Sequence, residues 1–263
     1  MAVASTRDAA GEAADLAGRV AVITGSTRGI GLATARRLVR RGACVVVNSR
    51  TDDEGAALKG LDLGERAAFV ASDVSAVAGA QRLVDLALER FGRVDVWVNN
   101  ASPNVKIDFF DQQQPADWHR TIDGKMFTTI NCIHAVLPVM QAQGEGCIVN
   151  IVSDAARVGT AGESLVSAAY GGVIALTKSL AREFARHRIR VNCVSITLTT
   201  GTPGYERMIA DEVRSKIFAK IAAKMPFGVL DPDDTAQAVE YFVLAKRVTG
   251  QTLSVNSGLS FPG

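Results

Sequence analysis

Short apolar runs alternate with amphipathic stretches along most of this chain. Val20-Ala21-Val22-Ile23, Cys44-Val45-Val46-Val47, Ala67-Ala68-Phe69-Val70 and Val94-Asp95-Val96-Trp97-Val98 read as strands. So do Cys147 to Val152, Arg190 to Val194 and Gln251 to Val255. Apolar positions recur with helical period at about 30–41, 78–91, 117–142, 165–186, 204–224 and 233–244. The strands are apolar almost without a break, which suits a parallel sheet covered on both faces. The pattern predicts an α/β fold, a doubly wound parallel sheet of about seven strands with helices on both faces. Such a sheet binds ligands beyond the carboxyl ends of its strands, where the strand order reverses.

Composition changes this picture little. The 263 residues are 48% hydrophobic, enough for one large domain. No repeat or low-complexity linker interrupts it, so residues 18–263 are expected to form one unit behind a flexible leader, 1–17. A net charge of +2 without a basic stripe argues against nucleic acid as a partner. Arg36-Arg37 and Arg40-Arg41 are expected on a solvated helix face. No apolar run approaches the ~18 residues that span a bilayer, and residues 1–17 lack a signal peptide's apolar core, so no membrane association is expected. Cys44, Cys132, Cys147 and Cys193 are scattered, with no C-x-x-C pair. They read as buried thiols rather than metal ligands, as suits a reducing cytoplasm.

Candidate chemistry begins at Thr24-Gly25-Ser26-Thr27-Arg28-Gly29-Ile30-Gly31, between the first strand and the first helix. Glycines there let the backbone approach a pyrophosphate, and the helix N-terminus beyond offers N–H groups and partial positive charge. An acid at the end of the second strand would bond the ribose 2′-OH of NAD and repel a 2′-phosphate. That end reads Asn48-Ser49-Arg50. Ser49 stands where the acid would be, and Arg28 and Arg50 are cations suited to a phosphate. NADP(H) is expected over NAD(H).

Together with Asp73-Val74, Asn99-Asn100-Ala101, Ser153, the run Gly171 to Lys178, Arg190 to Val194 and Thr249-Gly250-Gln251, these residues resemble the short-chain dehydrogenase/reductase superfamily from about Ala17 onward. The resemblance implies a single-domain Rossmann-type fold and roles for particular residues. Asp73 would bond the adenine amino group, with Val74 beside the ring. Asn99 would tie neighbouring strands, and Ala101 would line the cofactor groove. Ser102 departs from the family's usual Gly. The family also implies a homotetramer or homodimer.

The catalytic half departs further. The family carries a Tyr that exchanges a proton with a carbonyl oxygen, and a Lys one helical turn later. Register set by Gly171-Gly172 places Val166 at the Tyr and Tyr170 at the Lys. On the long helix Lys125 stands where an Asn is usual. Only Ser153 survives of the four. The family slots of Lys125 and Tyr170 lie close together beneath the nicotinamide ribose, where Tyr170 would also contact the cofactor, so the two are candidates for a rearranged pair. Tyr205, in a segment at about 198–227 expected to cover the substrate, is a second candidate acid or an apolar anchor. Glu163 faces the substrate side and could bind a polar group, while His187 reads as a surface residue at a helix end.

The stretch Ser153 to Gly159, with Gly162-Glu163 and Gly250 to Val255, looks like members acting on alicyclic acyl-CoA substrates. The expected activity is NADPH-dependent reduction of a carbonyl, or of a C=C conjugated to a thioester, in a cyclic ketone or an acyl-CoA. A non-catalytic NADP(H) sensor or scaffold is the alternative from another class.

Overall fold

A computed structural model describes residues 15–51, 63–210 and 212–261. Seven parallel strands form one sheet in the order β3-β2-β1-β4-β5-β6-β7. They are β1 (Val20–Ile23), β2 (Cys44–Ser49), β3 (Ala67–Ala71), β4 (Val96–Asn99), β5 (Gly146–Ser153), β6 (Ile189–Ile196) and β7 (Thr252–Val255). The order reverses between β1 and β4. This is the α/β Rossmann-type fold expected from the pattern.

The unbroken apolar strands are explained by the two cores. Along β1, Ala21 and Ile23 face one side with Val45 and Val47, under α1 (Gly29–Arg40) and the C-terminal helix Pro232–Leu244. Val20 and Val22 face the other with Val46 and Trp97, under α2 (Val77–Phe91) and the helix Thr128–Gln143. Successive residues of a strand point to opposite faces, so a sheet buried twice needs apolar side chains at both.

Three local expectations are corrected. Arg37 and Arg41 are not a solvated face. Arg37, 17% exposed, pairs with Asp233 (2.5 Å) and Glu240 (2.7 Å), and Arg41 pairs with Glu240, clamping α1 to the C-terminal helix. Leu16, inside the expected leader, is buried and its N–H donates to the carbonyl of Arg41 (3.0 Å); residues 1–14 of that leader lie outside the described residues. The helix Ser164–Phe184, with the turn to His187, has the length and apolar composition to cross a bilayer. It instead packs along β5 and β6. Cys132, Cys147 and Cys193 are buried, as expected, and burial pushes the Cys132 thiol up to about 12.

The expected long helix is three pieces: α3 (Pro115–Ile122), a π-helical turn (Asp123–Phe127) and α4 (Thr128–Gln143). At Gly124 a Cβ would lie 2.2 Å from Cγ of Pro103. Only a bare Cα lets the segment after β4 lie against this turn. Lys125 is the middle residue of this π turn, a form frequent at functional sites.

Candidate active site

The glycine loop sits at the topological switch point. Thr24 Oγ1 accepts the N–H groups of Asn100 (3.0 Å) and Ala101 (2.9 Å). Asn100 Nδ2 donates to the carbonyls of Thr24 and Gly25, both at 2.9 Å. The loop is thus fixed to the carboxyl end of β4 across the reversal. Ser26 is wholly buried; its hydroxyl donates to Ile23 O (2.6 Å) and accepts from the N–H of Asn48 (3.0 Å). That hydroxyl shapes the turn and is not presented to a ligand. At Gly31 a Cβ would meet Gly25 O at 2.6 Å and Ser26 Cα at 2.7 Å, so the first turn of α1 lies directly on the loop backbone. Ile30 is buried beside it, Thr27 is half-buried and Arg28 is exposed.

These residues fit a dinucleotide. No side chain caps α1, and its first turn carries no acid, which leaves its positive end suited to a pyrophosphate. Asn48 was missed at the sequence level. It is buried, its Nδ2 donates to carbonyls of Ser49, Val70 and Ser72 (3.0 Å each), and its Oδ1 accepts from Gly25 N–H (3.2 Å). It joins the ends of β2 and β3 to the loop. Beyond it Ser49 Oγ donates to Thr51 O (2.9 Å) and Arg50 is exposed. Asp73 follows β3 and accepts the Ser75 N–H (3.0 Å). That backbone bond, helped by the Ser75 hydroxyl and the nearby Arg50 guanidinium, holds its carboxyl below the usual aspartate value against partial burial. Val74 beside it is buried.

Asn99 ties β4 to β5, as the resemblance implied, and its amide is used inside the protein. It accepts from Trp97 Nε1 (2.8 Å) and donates to Asn150 Oδ1 (2.8 Å). Asn150 in turn donates to Thr177 Oγ1 (2.9 Å). Ala101 lies close against Gly25: a Cβ on that glycine would be 3.0 Å from Ala101 Cα.

Beyond the carboxyl ends of β4 and β5 lies a second group of polar side chains. Ser102, just past β4, accepts two hydrogen bonds at Oγ, from Lys125 Nζ (2.7 Å) and from Tyr170 OH (3.1 Å). Lys125 Nζ also lies 5.1 Å from the centre of the Tyr170 ring, a cation–π contact. Lys125 and Tyr170 are both buried, whereas Ser102 is exposed, so the group opens outward through the serine. Ser102 was the unrecognised partner; its departure from the family's Gly was the available signal.

Ser153 ends β5, half-buried, and its Oγ accepts the Ala155 N–H (3.2 Å). Glu163, half-buried, immediately precedes the helix Ser164–Phe184. Burial pushes that carboxyl up, and the favourable influence of Lys125 and Ser153 does not reverse it. Val166 is buried in an apolar cluster with Val152, Tyr170, Val173 and Cys193. The side chain at that position is packing. Tyr205 is not brought to this group: its ring meets Phe218 edge-on, 5.0 Å between centres, within the two helices Pro203–Ala210 and Glu212–Ala222. His187 lies at the end of a helix beside Phe184, far along the chain from these residues, and Arg186 Nε donates to its ring (3.2 Å).

Comparison with known proteins agrees with this geometry. The family profile described as short chain dehydrogenase matches residues 19–212. The chain is 38% identical over 250 residues to cis-4-hydroxycyclohexanecarboxylate dehydrogenase of Sinomonas cyclohexanicum, covering 91% of this chain and 96% of that protein. It is 32% identical over 253 residues to the 3-oxoacyl-acyl-carrier-protein reductase FabG of Vibrio cholerae, covering 93% and 98%. The crystal structure of levodione reductase superposes with a TM-score of 0.86 at 27% identity, over 92% of this chain and 98% of that one. A dinucleotide loop at the switch point, polar groups beyond β4 and β5, and a match along nearly the whole chain lead to one assignment: the chain belongs to the short-chain dehydrogenase/reductase family of NAD(P)(H)-dependent oxidoreductases.

Proposed function

We propose that this protein is an NADPH-dependent reductase of a carbonyl on a cyclic or acyl-thioester substrate, working with Lys125, Tyr170 and Ser102 in place of the family's Tyr-x-x-x-Lys pair. The observation that carries this reading is the convergence of Lys125 Nζ and Tyr170 OH on Ser102 Oγ. Two relatives support the substrate class, one named for a hydroxycyclohexanecarboxylate and one for a 3-oxoacyl chain on its carrier protein.

When bound, a reduced nicotinamide supplies the hydride. The protein's own groups do the rest. Gly25 to Gly31 and the amino end of α1 hold the pyrophosphate. Lys125 and Tyr170 hold the nicotinamide ribose, and the Lys125 ammonium, shielded from water, favours negative charge arriving on the substrate oxygen. Ser153 presents its hydroxyl to that oxygen. The helices over 203–222 cover the substrate and exclude water, with Tyr205 as an apolar anchor on Phe218. Trp118 and Phe127, exposed on α3 and the π turn, fit burial against further copies in a homodimer or homotetramer.

The test is NADPH oxidation over a panel of cyclic ketones, 3-oxoacyl thioesters and enoyl thioesters. Turnover of the ketones or oxoacyl thioesters is expected. Tight NADPH binding with no turnover on any of them would identify a cofactor-binding sensor instead.

The preference for NADPH rests on Arg28 and Arg50 beside a β2 end that lacks an acid. One charge-assisted hydrogen bond to a phosphate contributes about 1.5–3 kcal/mol. Arg50→Ala is therefore expected to raise the NADPH dissociation constant roughly 10- to 100-fold while leaving that for NADH nearly unchanged. Fluorescence titration with each nucleotide measures this. Equal weakening toward both would remove Arg50 as the selector.

A further inference from the structure

Carbonyl reduction consumes a proton as well as a hydride, and Val166, which stands at the family's Tyr position, cannot supply one. We propose that Ser102 is the proton donor of the reaction, handing its hydroxyl proton to the substrate oxygen and taking a replacement from Lys125. This rests on the reductase reading above.

The hydrogen bonds at Ser102 Oγ carry the argument. A hydroxyl has two acceptor lone pairs and one proton to give. Lys125 Nζ (2.7 Å) and Tyr170 OH (3.1 Å) donate to it from the protein side and fill both lone pairs. The serine's own O–H is what remains. The acceptor it meets inside the protein is Pro103 O at 3.5 Å, beyond the ordinary length of an O–H···O bond. Lys125 and Tyr170 are buried while Ser102 is exposed, so this proton is available outward, to a ligand in the groove.

Position agrees with that role. Asn99 on β4 pairs with Asn150 on β5, and Ser102 and Ser153 each follow their member of the pair by three residues. The two serines thus lie off the carboxyl ends of adjacent strands, the end at which such sheets bind ligands. On the other side, Ala101 lies against Gly25 of the dinucleotide loop. Pro103 is seated on Gly124 of the π turn that carries Lys125, which keeps the serine and the ammonium together.

A serine alone is a poor acid. An ammonium is a far stronger acid than a hydroxyl group, so a proton runs downhill from Lys125 to a nascent alkoxide with the serine as the bridge. Burial favours an uncharged amine, and no acid forms a salt bridge with Lys125 among the described residues. The amine left behind therefore strands no carboxylate.

The step balances as follows. Once the carbonyl carbon has accepted hydride from the reduced nicotinamide, the electron pair of the broken C=O π bond resides on oxygen. That oxygen takes the Ser102 hydroxyl proton, and Ser102 Oγ takes a proton from the Lys125 ammonium. The products are an alcohol, the oxidised nicotinamide and a neutral Lys125 amine, which regains its proton from solvent. The two electrons gained by the substrate come from the reduced nicotinamide.

The test uses the full-length protein and two ketones, the best unactivated cyclic ketone and an electron-poor aryl ketone. Fluorescence titration with NADPH confirms that each variant is folded. Ser102→Ala is expected to lose roughly 10²–10³-fold in kcat/KM on the unactivated ketone. Its loss on the electron-poor ketone should be at least about tenfold smaller, because a less basic alkoxide depends less on a donor. Ser102→Thr, which keeps a hydroxyl, should recover much of the rate. Lys125→Arg keeps the cation but holds its protons too tightly to release one, and should stay well below wild type. Near wild-type rate in Ser102→Ala on the unactivated ketone overturns the proposal and leaves NADPH-dependent reduction standing, with water as the proton source. An equal loss on both ketones reduces Ser102 to a support for Lys125 and also overturns it. Full activity in Lys125→Arg shows that charge alone suffices and overturns the relay. A wild type that binds NADPH and turns over nothing overturns the reductase reading, and this proposal with it.

Discussion

Lys125→Ala is expected to lower kcat/KM for carbonyl reduction by roughly 10²–10³-fold, the cost of removing one donor aimed at developing charge in a site shielded from water. Lys125 is 9% exposed, and the near partner of its ammonium is the Ser102 hydroxyl at 2.7 Å. No acid forms a salt bridge with it among the described residues. Tyr170→Phe removes only a 3.1 Å hydrogen bond to the same oxygen and should cost less, about tenfold. The two changes share Ser102 and are expected to be non-additive, the double variant falling little below Lys125→Ala alone. Folding should survive, since relieving a buried ammonium lowers a desolvation penalty; a thermal melt checks this. If both single variants keep wild-type kcat/KM, the rearranged pair has no catalytic role.

Asp154→Ala is expected to destabilise the fold by about 3 kcal/mol, a loss of roughly 5–10 °C in melting temperature. Asp154 is 4% exposed and accepts four hydrogen bonds. Ser195 Oγ (2.8 Å) and Ser254 Oγ (2.7 Å) donate to Oδ1, while Asn256 Nδ2 (2.7 Å) and Ser260 Oγ (3.0 Å) donate to Oδ2. One carboxylate thereby ties the end of β5 to β6, β7 and the chain beyond. Truncation would leave several buried donors without a partner at once. Burial alone would raise this carboxyl's pKa, but the bonds from Ser254, Asn256, Ser195 and Ser260 outweigh it and hold it below the usual aspartate value. The sign of the pH effect follows. A folded-state pKa below the unfolded one contributes stability that is complete above the unfolded value, near pH 4, and is lost as pH falls through the folded value. Urea unfolding from pH 7 downward should show an acid limb in the wild type that is shallower in Asp154→Asn. An unchanged limb, or a loss under about 1 kcal/mol in Asp154→Ala, would show that this network contributes little.

The contrast between these two sites shows how far a linear reading reaches. Lys125 and Tyr170 were expected to be neighbours because a family resemblance supplied their slots, not because 44 intervening residues say anything about distance. Ser102, on which both converge, has no periodic signature and stood out only as a departure from the family's Gly. The same limit hid the role of Asp154, whose partners lie 41 to 106 residues away. Arg37 and Arg41 looked like a solvated stripe because their acids, Asp233 and Glu240, arrive with the last helix. The π turn escaped detection because one extra residue hardly alters a helical period; its observed neighbour is Pro103, from a different segment.

By itself the sequence determined the α/β alternation, the doubly apolar strands, the glycine turn, the missing acid at the end of β2 and the valine at position 166. Each is a property of neighbouring residues, legible wherever backbone period or local turn chemistry dictates side-chain type. Only the tertiary structure decided that Ser102 is the meeting point of Lys125 and Tyr170 and that Asp154 gathers four donors. These depend on crossovers that set the carboxyl ends of β4, β5, β6 and β7 side by side. Hydrogen bonds act over about 3 Å, so what a polar side chain does is fixed by which distant segments the sheet brings within that reach.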